Sequence, residues 1–342
     1  MHYILYLAIF DYTHYATYIL YHNVYNMNLP YYLKMSKNNL ATIEKDLKNK
    51  KVNMVALVAP SFVVSFEYPQ FIHQLRELGF DKVVELTFGA KMVNREYHKI
   101  LDKQLSLGKK AGKETFFISS TCPGITEIIR QKYPQYVKNI IKVDSPMVAM
   151  AKICKNVYPK HKTCFITPCE YKKREAEDCE YMDYVIDYKQ LEMLFKKNRI
   201  KPNKNHIHFD KFYNDYTKIY PLSGGLSKTA HLRGVLKKGE EKTIDGIGAV
   251  MKFLDTVKPD DFPVSPNHKN VQRFRDNPNP KVKFLDCTFC VGGCLGGPYT
   301  SKMPLVEKTK KLMKYITIAK KEDIPSGRAG LIEKAKGIRF RN

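Results

Sequence analysis

The chain has no cysteine before Cys122, no Lys or Arg in its first 33 residues, and no unbroken apolar run of membrane-spanning length. The first absence leaves residues 1–121 without any thiolate to bind a metal centre. A transmembrane helix needs about 20 continuous apolar residues. The opening stretch, although it holds nine of the 23 tyrosines, is broken by Asp11, Thr13, His14, Thr17, His22 and Asn23. A membrane location is therefore not expected, and the lack of a basic start and a small-residue cleavage site argues against a signal peptide. Residues 1–45 read as a Tyr-rich, irregular extension packed on the body, ahead of an artefact of the gene start or an interfacial membrane segment. Acidic residues are also scarce, 34 against 58 Lys and Arg, which leaves a formal charge of +24. Clustered cations would suit phosphate contacts, but here the lysines are scattered in ones and twos. No helix-turn-helix, zinc-finger or RNA-binding signature accompanies them, so no specific nucleic-acid partner is expected. Neither an internal repeat nor a low-complexity tract is present.

What remains is a globular composition, with 342 residues, 44% hydrophobic and 12% aromatic, enough for one large or two modest cores. From Val52 onward, short β-rich runs alternate with amphipathic stretches, the pattern of βαβ units and a largely parallel sheet. VNMVALVA reads as a buried strand. PQFIHQLRELGF follows as a helix with Phe71, Ile72, Leu75 and Leu78 at helical spacing and Gly79 at its end, and DKVVELTF reads as the next strand. Further strands are expected at TFFIS, KTCFIT, DYVIDY, the start of KTIDGIGAVMKFLDTV and KVKFLD. Helices are expected at GITEIIRQKY, PMVAMAKICKNVY, KQLEMLFKKN, the second part of KTIDGIGAVMKFLDTV and SKMPLVEKTKKLMKYITIAKK. Residues 200–240 read as a polar, irregular excursion, residues 259–281 as a Pro/Asn-rich surface loop, and residues 323–342 as a loosely held basic tail. The expected fold is α/β, with two lobes of mostly parallel sheets flanked by helices spanning residues 46–322.

Eight cysteines are present, and four sit in Gly/Pro-rich turns that each follow a β-rich run: Cys122 in SSTCPGI, Cys169 in TPCEYKK, and Cys290 and Cys294 in CVGGCLGGP. Strand ends meeting at a crevice are where open α/β sheets bind ligands. Four thiolates match the ligand count of a 4Fe-4S cubane. A structural zinc ion also accepts four thiolates, but its ligands usually come in close pairs, and Cys122 and Cys169 are isolated. Pro123 and Pro168 would stiffen the turns, while Gly292, Gly293, Gly296 and Gly297 would let the backbone wrap the cluster and aim N–H groups at its sulfurs. Cys154 and Cys164 lie on a helix and in a strand and read as small buried hydrophobes. Cys179 and Cys287 are candidate spare ligands. Reduced thiols of this kind fit a cytoplasmic protein better than a disulfide framework.

The three cysteine segments, in this order, resemble the signature loops of the catalytic domain of iron-only (iron-iron) hydrogenases. VALVAPSF, LGFDKVVELTFGA, YPLSGGL and IDGIGAVMKFL extend the resemblance over roughly residues 46 to 315, with wording most similar to the sensory branch of that family. The resemblance implies a 4Fe-4S cluster in the cleft between the two lobes, held by Cys122, Cys169, Cys290 and Cys294. It further implies a diiron subcluster, where one is present, bridged through Cys294 and contacted by Lys172. Relatives often carry an N-terminal ferredoxin-like domain, and no cysteine in residues 1–121 could supply one. The chain departs from the catalysts at Thr121, where they place a proton-passing cysteine, and at Thr167 and Thr288, where they place methionines. In the proton-relay segment it keeps Glu96 but has Tyr97 and Ile100 where further glutamates stand. Three readings follow. The first is a cytoplasmic iron-sulfur protein in hydrogen or redox sensing or low-rate hydrogen metabolism. The second is an active hydrogenase served by an external ferredoxin or other redox protein, and the third is a non-catalytic iron-sulfur assembly or scaffold protein.

Overall fold

Met54–Val58 forms β1, in which all five residues are buried. Each such side chain contributes roughly 2 kcal/mol of gross hydrophobic stabilisation, so the strand can only sit at the centre of a sheet. It pairs in parallel with β2 (Lys82–Glu85) on one side and β4 (Lys162–Thr167) on the other, and β4 pairs with β5 (Tyr184–Asp187). The order is therefore β2-β1-β4-β5. Register is set by apolar partners, with Leu57 opposite both Val84 and Phe165. A second parallel sheet has the order β3-β7-β6, from Phe117–Ile118, Phe284–Thr288 and Glu241–Asp245. The two-residue pleat of β7 serves both apolar clusters of the core. Phe284 joins the cluster of Val55, Leu57, Val84 and Tyr97, and Leu285 joins that of Ile118, Ile125 and Val250.

The computed structural model describes residues 39–110, 116–203, 207–210, 212, 216–257, 282–319 and 333–341. The chain divides into two compact units, 1–42 and 43–342, and the sheets belong to the second. Of the first, only 39–42 are described, as the start of helix α1 (Asn39–Lys48). The expectations for residues 1–33 and 259–281 lie outside the described residues.

The expected helices form where the apolar spacing places them. They are α2 (Gln70–Leu78), α4 (Pro123–Lys132), α5 (Pro146–Val157), α7 (Tyr188–Lys197), α9 (Ile247–Thr256) and α10 (Leu305–Ala319). Their starts follow ordinary capping chemistry. Pro123 and Pro146 occupy first turns, Ser145 Oγ accepts from the Val148 amide, and Asp187 and Gln190 form a reciprocal capping box. Three expectations are corrected. DKVVELTF stops being strand at Glu85, and Thr87 opens α3 (Thr87–Lys110), whose Phe88, Met92, Tyr97, Leu101 and Leu105 are buried at helical spacing. The polar segment 200–240 is not a surface excursion. Its described part includes α8 (Gly225–Thr229) and buries Leu226, Ala230, Leu232 and Leu236. Nor is the end of the tail loose. Phe340 and Ala335 are buried, the Asp144 amide donates to the Phe340 carbonyl, and Lys152 bridges Asp144 and the Arg339 carbonyl.

A buried polar knot ties these parts together. Glu85, at the end of β2, accepts from Lys218, from Thr87 Oγ1 (3.2 Å) and from the Tyr315 hydroxyl (2.7 Å), and Lys218 also donates to Tyr315 (2.9 Å). Breaking a buried pair leaves one uncompensated charge. Lys218→Met should lower unfolding free energy by about 3–5 kcal/mol, measured by urea denaturation. Adding Glu85→Gln should recover most of that loss, and a single variant within about 1 kcal/mol of wild type would show the knot to be energetically idle.

Candidate metal centre

The four cysteines expected to act together come from the carboxyl ends of three strands in two sheets. Cys122 follows β3 and is the N-cap of α4. Cys169 follows β4 and is the N-cap of α6 (Glu170–Glu177). Cys290 and Cys294 follow β7, the latter in a 3-10 turn at Gly293–Gly296. The end of β4 is also where the first sheet reverses its strand order, the position at which such sheets leave a crevice.

Three contacts lock the loops against one another. The Phe289 amide, one residue before Cys290, donates to Cys122 Sγ at 3.4 Å. The Cys294 amide donates to the Pro221 carbonyl (2.8 Å), and the Tyr299 amide to the Pro168 carbonyl (3.2 Å). Two positions require glycine for this fit. Gly293 has φ +67°, and a Cβ there would lie 2.4 Å from the Pro221 oxygen. A Cβ on Gly124 would lie 2.8 Å from the Tyr171 ring and 3.0 Å from that of Phe289.

The thiols are desolvated and feel one another. Burial pushes Cys169 up to about 12, reinforced by the nearby Cys122 and Cys294 and opposed by the amide and the charge of Lys172. Burial together with Cys169, Cys122 and Cys294 raises Cys290 well above its ordinary value. Cys294 is pushed up to about 11 by burial and by Cys122, with Lys172 pulling it back. Burial raises Cys122 too, against the amides of Ile125 and Phe289, the Lys172 charge and the amide of Gly124. Cys294 presents open surface although protein atoms desolvate its thiol, the combination expected on the wall of a hollow. Four such groups are poor neighbours as free thiolates, whereas bound iron would offset their charge and lower their pKa.

Four thiols are the donor set that a 4Fe-4S cubane would take. Among the described residues, no three His, Cys, Asp or Glu side chains are grouped to hold one metal ion. Tetrahedral zinc at about 2.3 Å per sulfur would need sulfurs roughly 3.8 Å apart. All eight cysteines are free of disulfides. Cys154 and Cys164 are wholly buried in apolar surroundings, and Cys179 and Cys287 are buried as well. Cys287 lies near Cys122 and 4.0 Å from Ser119 Oγ.

Several electrostatic expectations change in detail. The amides of Gly292, Gly293 and Gly297 do not aim at sulfur. They donate to Asp245 Oδ2 and to the carbonyls of Cys290 and Cys294, while Phe289, Ile125, Gly124 and Lys172 serve the thiols. Next to Lys172 in sequence, Lys173 pairs with Asp187 and Arg174 with Glu127. Lys172 pairs with Glu175, and its charge still reaches Cys122, Cys169 and Cys294. Thr167 Oγ1 accepts from the Cys169 amide at 3.2 Å, and Thr288 Oγ1 donates to the Cys290 carbonyl at 3.4 Å. Both hydroxyls thus shape the cysteine turns. Thr121 is half-buried beside Ser120, whose amide and hydroxyl engage the Tyr97 hydroxyl at 2.6 and 2.8 Å. Glu96 is not gathered into the site and pairs instead with Lys99 and Arg341.

Sequence reasoning missed three contributors. Pro221 supplies a docking carbonyl, its signal being the YPLSGGL segment. Asp286 is buried on β7 and accepts from the Ser227 amide at 3.0 Å, a carboxylate inside an otherwise apolar run. Lys308 lies on α10 against the cysteine loop, and its signal is a lysine at an apolar helical register.

The model for the family described as iron only hydrogenase large subunit, C-terminal domain, matches residues 52–298. Iron hydrogenase 1 of Clostridium pasteurianum is 25% identical over 255 residues, which cover 65% of this chain and 44% of that protein. The chain thus spans less than half the length of that relative. Among solved structures, HydA(deltaEFG), determined for stepwise FeFe-hydrogenase H-cluster assembly, aligns with a TM-score of 0.62 at 17% identity, covering 81% of this chain and 88% of that one. A variant of the FeFe-hydrogenase HydA1 from Chlamydomonas reinhardtii aligns with a TM-score of 0.62 at 16% identity, covering 85% and 90%. Both share this fold. No helix among the described residues is long and apolar enough to cross a membrane.

Burial raises Asp286 to about 6, against the hydrogen bond from the Ser227 amide. A carboxyl with a raised folded pKa makes the native state the stronger proton binder, so stability falls as pH rises from about 4 to 6. Relative to Asp286→Asn, the wild-type apoprotein should lose up to about 3 kcal/mol between about pH 4 and pH 7, read from urea melts at both values. An unchanged difference would mean that Asp286 stays ionised throughout.

Proposed function

Because this chain belongs to the family of iron-only hydrogenase C-terminal domains, we propose a 4Fe-4S protein that senses hydrogen or redox state, or turns hydrogen over slowly. The observation that carries this reading is the convergence of Cys122, Cys169, Cys290 and Cys294 from three interlocked loops, as desolvated thiols that would repel one another once ionised. A cubane there would supply one-electron storage. The chain's own residues hold the four sulfurs, aim amides at Cys122 and Cys169, and limit water through the packed Tyr171 and Phe289 rings, whose centroids are 4.7 Å apart. Cys294, facing the open side, is the thiolate that would bridge to a diiron subcluster, and Lys172 is the cation that would face it.

The three threonines favour sensing or slow chemistry over fast turnover. Moving a proton to and from a reacting centre needs a group whose pKa lies near the working pH. The Thr121 hydroxyl is far from that range, and those of Thr167 and Thr288 are committed to the backbone of the cysteine turns. The reach of Lys172 to three thiols keeps the second reading, an active hydrogenase, in play. In either case electrons would come from an external ferredoxin or another redox or signalling protein, in the cytoplasm.

Anaerobically purified protein should contain about four iron and four sulfide per chain, with zinc negligible. Cys169→Ser should lose most of both. Produced with the hydrogenase maturation machinery, the wild type should either stay at about four iron or rise to about six with infrared bands of iron-bound carbonyl and cyanide. Dye reduction under dihydrogen should be slow in wild type and faster in Thr121→Cys. Rapid turnover by wild type would overturn the sensing reading, and zinc in place of iron would overturn both.

A further inference from the structure

The exposed surface of α10 carries Lys310 and Lys314, but Lys308 is not part of it. The buried stripe of this helix runs Lys308, Leu312, Tyr315, Ile316 and Ala319, the spacing of one apolar face. Lys308 thus stands where the pattern calls for Leu or Met, and it is only 8% exposed. A lysine is almost never buried unless paired, since removing its ammonium from water costs several kcal/mol. Among the described residues, no carboxylate lies within ion-pair distance of it. Its Nζ donates to two neutral oxygens, the Leu295 carbonyl (3.1 Å) and Thr300 Oγ1 (2.8 Å). Burial lowers its pKa, with no neighbouring negative charge acting in the other direction.

Those neutral acceptors point to the missing counter-charge. Leu295 directly follows Cys294, and Thr300 Oγ1 also reaches the carbonyls of Leu295 (3.1 Å) and Gly297 (2.8 Å). On its other side the same loop is held by Pro221 and by Asp245. The ammonium is therefore fixed against the back of the loop that presents two of the four thiols. Hydrogen bonding to this loop does not require a charge there, because a neutral donor, the Thr300 hydroxyl with its one proton between the carbonyls of Gly297 and Leu295, already serves it. A cluster with four thiolates is anionic and becomes more so on reduction.

We infer that Lys308 is the built-in counter-cation of the cysteine centre, a positioning residue that braces the Cys290–Cys294 loop and raises the reduction potential of the bound cluster. The inference rests on the 4Fe-4S reading above. Net charge and local hydrogen bonding are the means by which a protein sets such a potential. The same residue is a liability to the empty protein, where its charge has no partner.

The test compares Lys308→Met, Lys308→Arg and the exposed control Lys314→Met, each loaded with cluster and titrated redox-potentiometrically with electron paramagnetic resonance detection. Lys308→Met should keep its iron and sulfide and shift its midpoint to more negative potential. Lys308→Arg and Lys314→Met should stay near wild type. Thermal unfolding of the metal-free proteins should find Lys308→Met at least as stable as wild type. An unchanged midpoint in loaded Lys308→Met overturns the inference, as does a metal-free Lys308→Met that is less stable or fails to fold, because the lysine would then serve the fold. Wild-type protein that takes up no iron or sulfide fails the cluster reading itself, and the metal-free comparison still decides whether the charge belongs to the fold.

Discussion

Four sulfurs must be held close together, away from water, at the ends of strands that come from different sheets. As thiolates they repel one another, and as thiols they offer little mutual attraction, so the loops cannot be held together by the groups they present. The assembly depends instead on contacts one or two residues away. The Phe289 amide reaches Cys122 Sγ, the Pro221 carbonyl takes the Cys294 amide, and the Pro168 carbonyl takes that of Tyr299. Each bond contributes about 1 kcal/mol net, but each fixes a loop whose other end is anchored in a parallel strand. The precision of the site is thus inherited from β3, β4 and β7.

Around the centre, charge is handled by pairing, although the chain as a whole carries 58 Lys and Arg against 34 Asp and Glu. Lys173 and Arg174, next to Cys169 in sequence, are matched by Asp187 and Glu127. Lys218 is matched by Glu85 and Lys152 by Asp144. Against this background Lys172 and Lys308 stand apart. One is directed at the thiols while in contact with Glu175, and the other is buried behind the Cys294 loop with neutral acceptors. Lys172 is the cation whose charge reaches Cys122, Cys169 and Cys294, and Lys308 touches the centre only through the backbone of the loop that carries Cys294.

The threonines acquire a structural meaning beyond the loss of proton-passing or packing groups. Thr167 and Thr288 each stand two residues before a cysteine, and each bonds that cysteine's backbone. A methionine could do neither. Each hydroxyl thereby ties its turn to the backbone of the cysteine that the turn presents. Proton access, if the site needs it, would have to draw on other polar groups, such as Tyr97 and Ser120 on one flank.

The residues alone determined the parallel α/β architecture, because periods of two and 3.6 in apolar side chains are local properties that survive without knowledge of partners. They also marked the four cysteines, since Gly and Pro beside Cys is a local statement about turns. Tertiary structure decided which polar groups face inward. Glu85 looks like an ordinary solvated charge in the sequence; Asp286, inside an apolar run, and Lys308, at an apolar helical register, are hinted at locally, but nothing near any of the three identifies the partner it meets. The helix Thr87–Lys110 was not expected at all, and its first residues were read as strand for a related reason: Leu86, Thr87 and Phe88 have good strand propensity, and only the burial of Phe88, Met92 and Tyr97 on one face overrides it. Segment 200–240 looked external because it is polar on average, yet a few well-placed apolar side chains and the Pro221 carbonyl carry it into the interior. Composition is an average over a segment, whereas burial and hydrogen bonding are settled residue by residue through contacts distant in sequence.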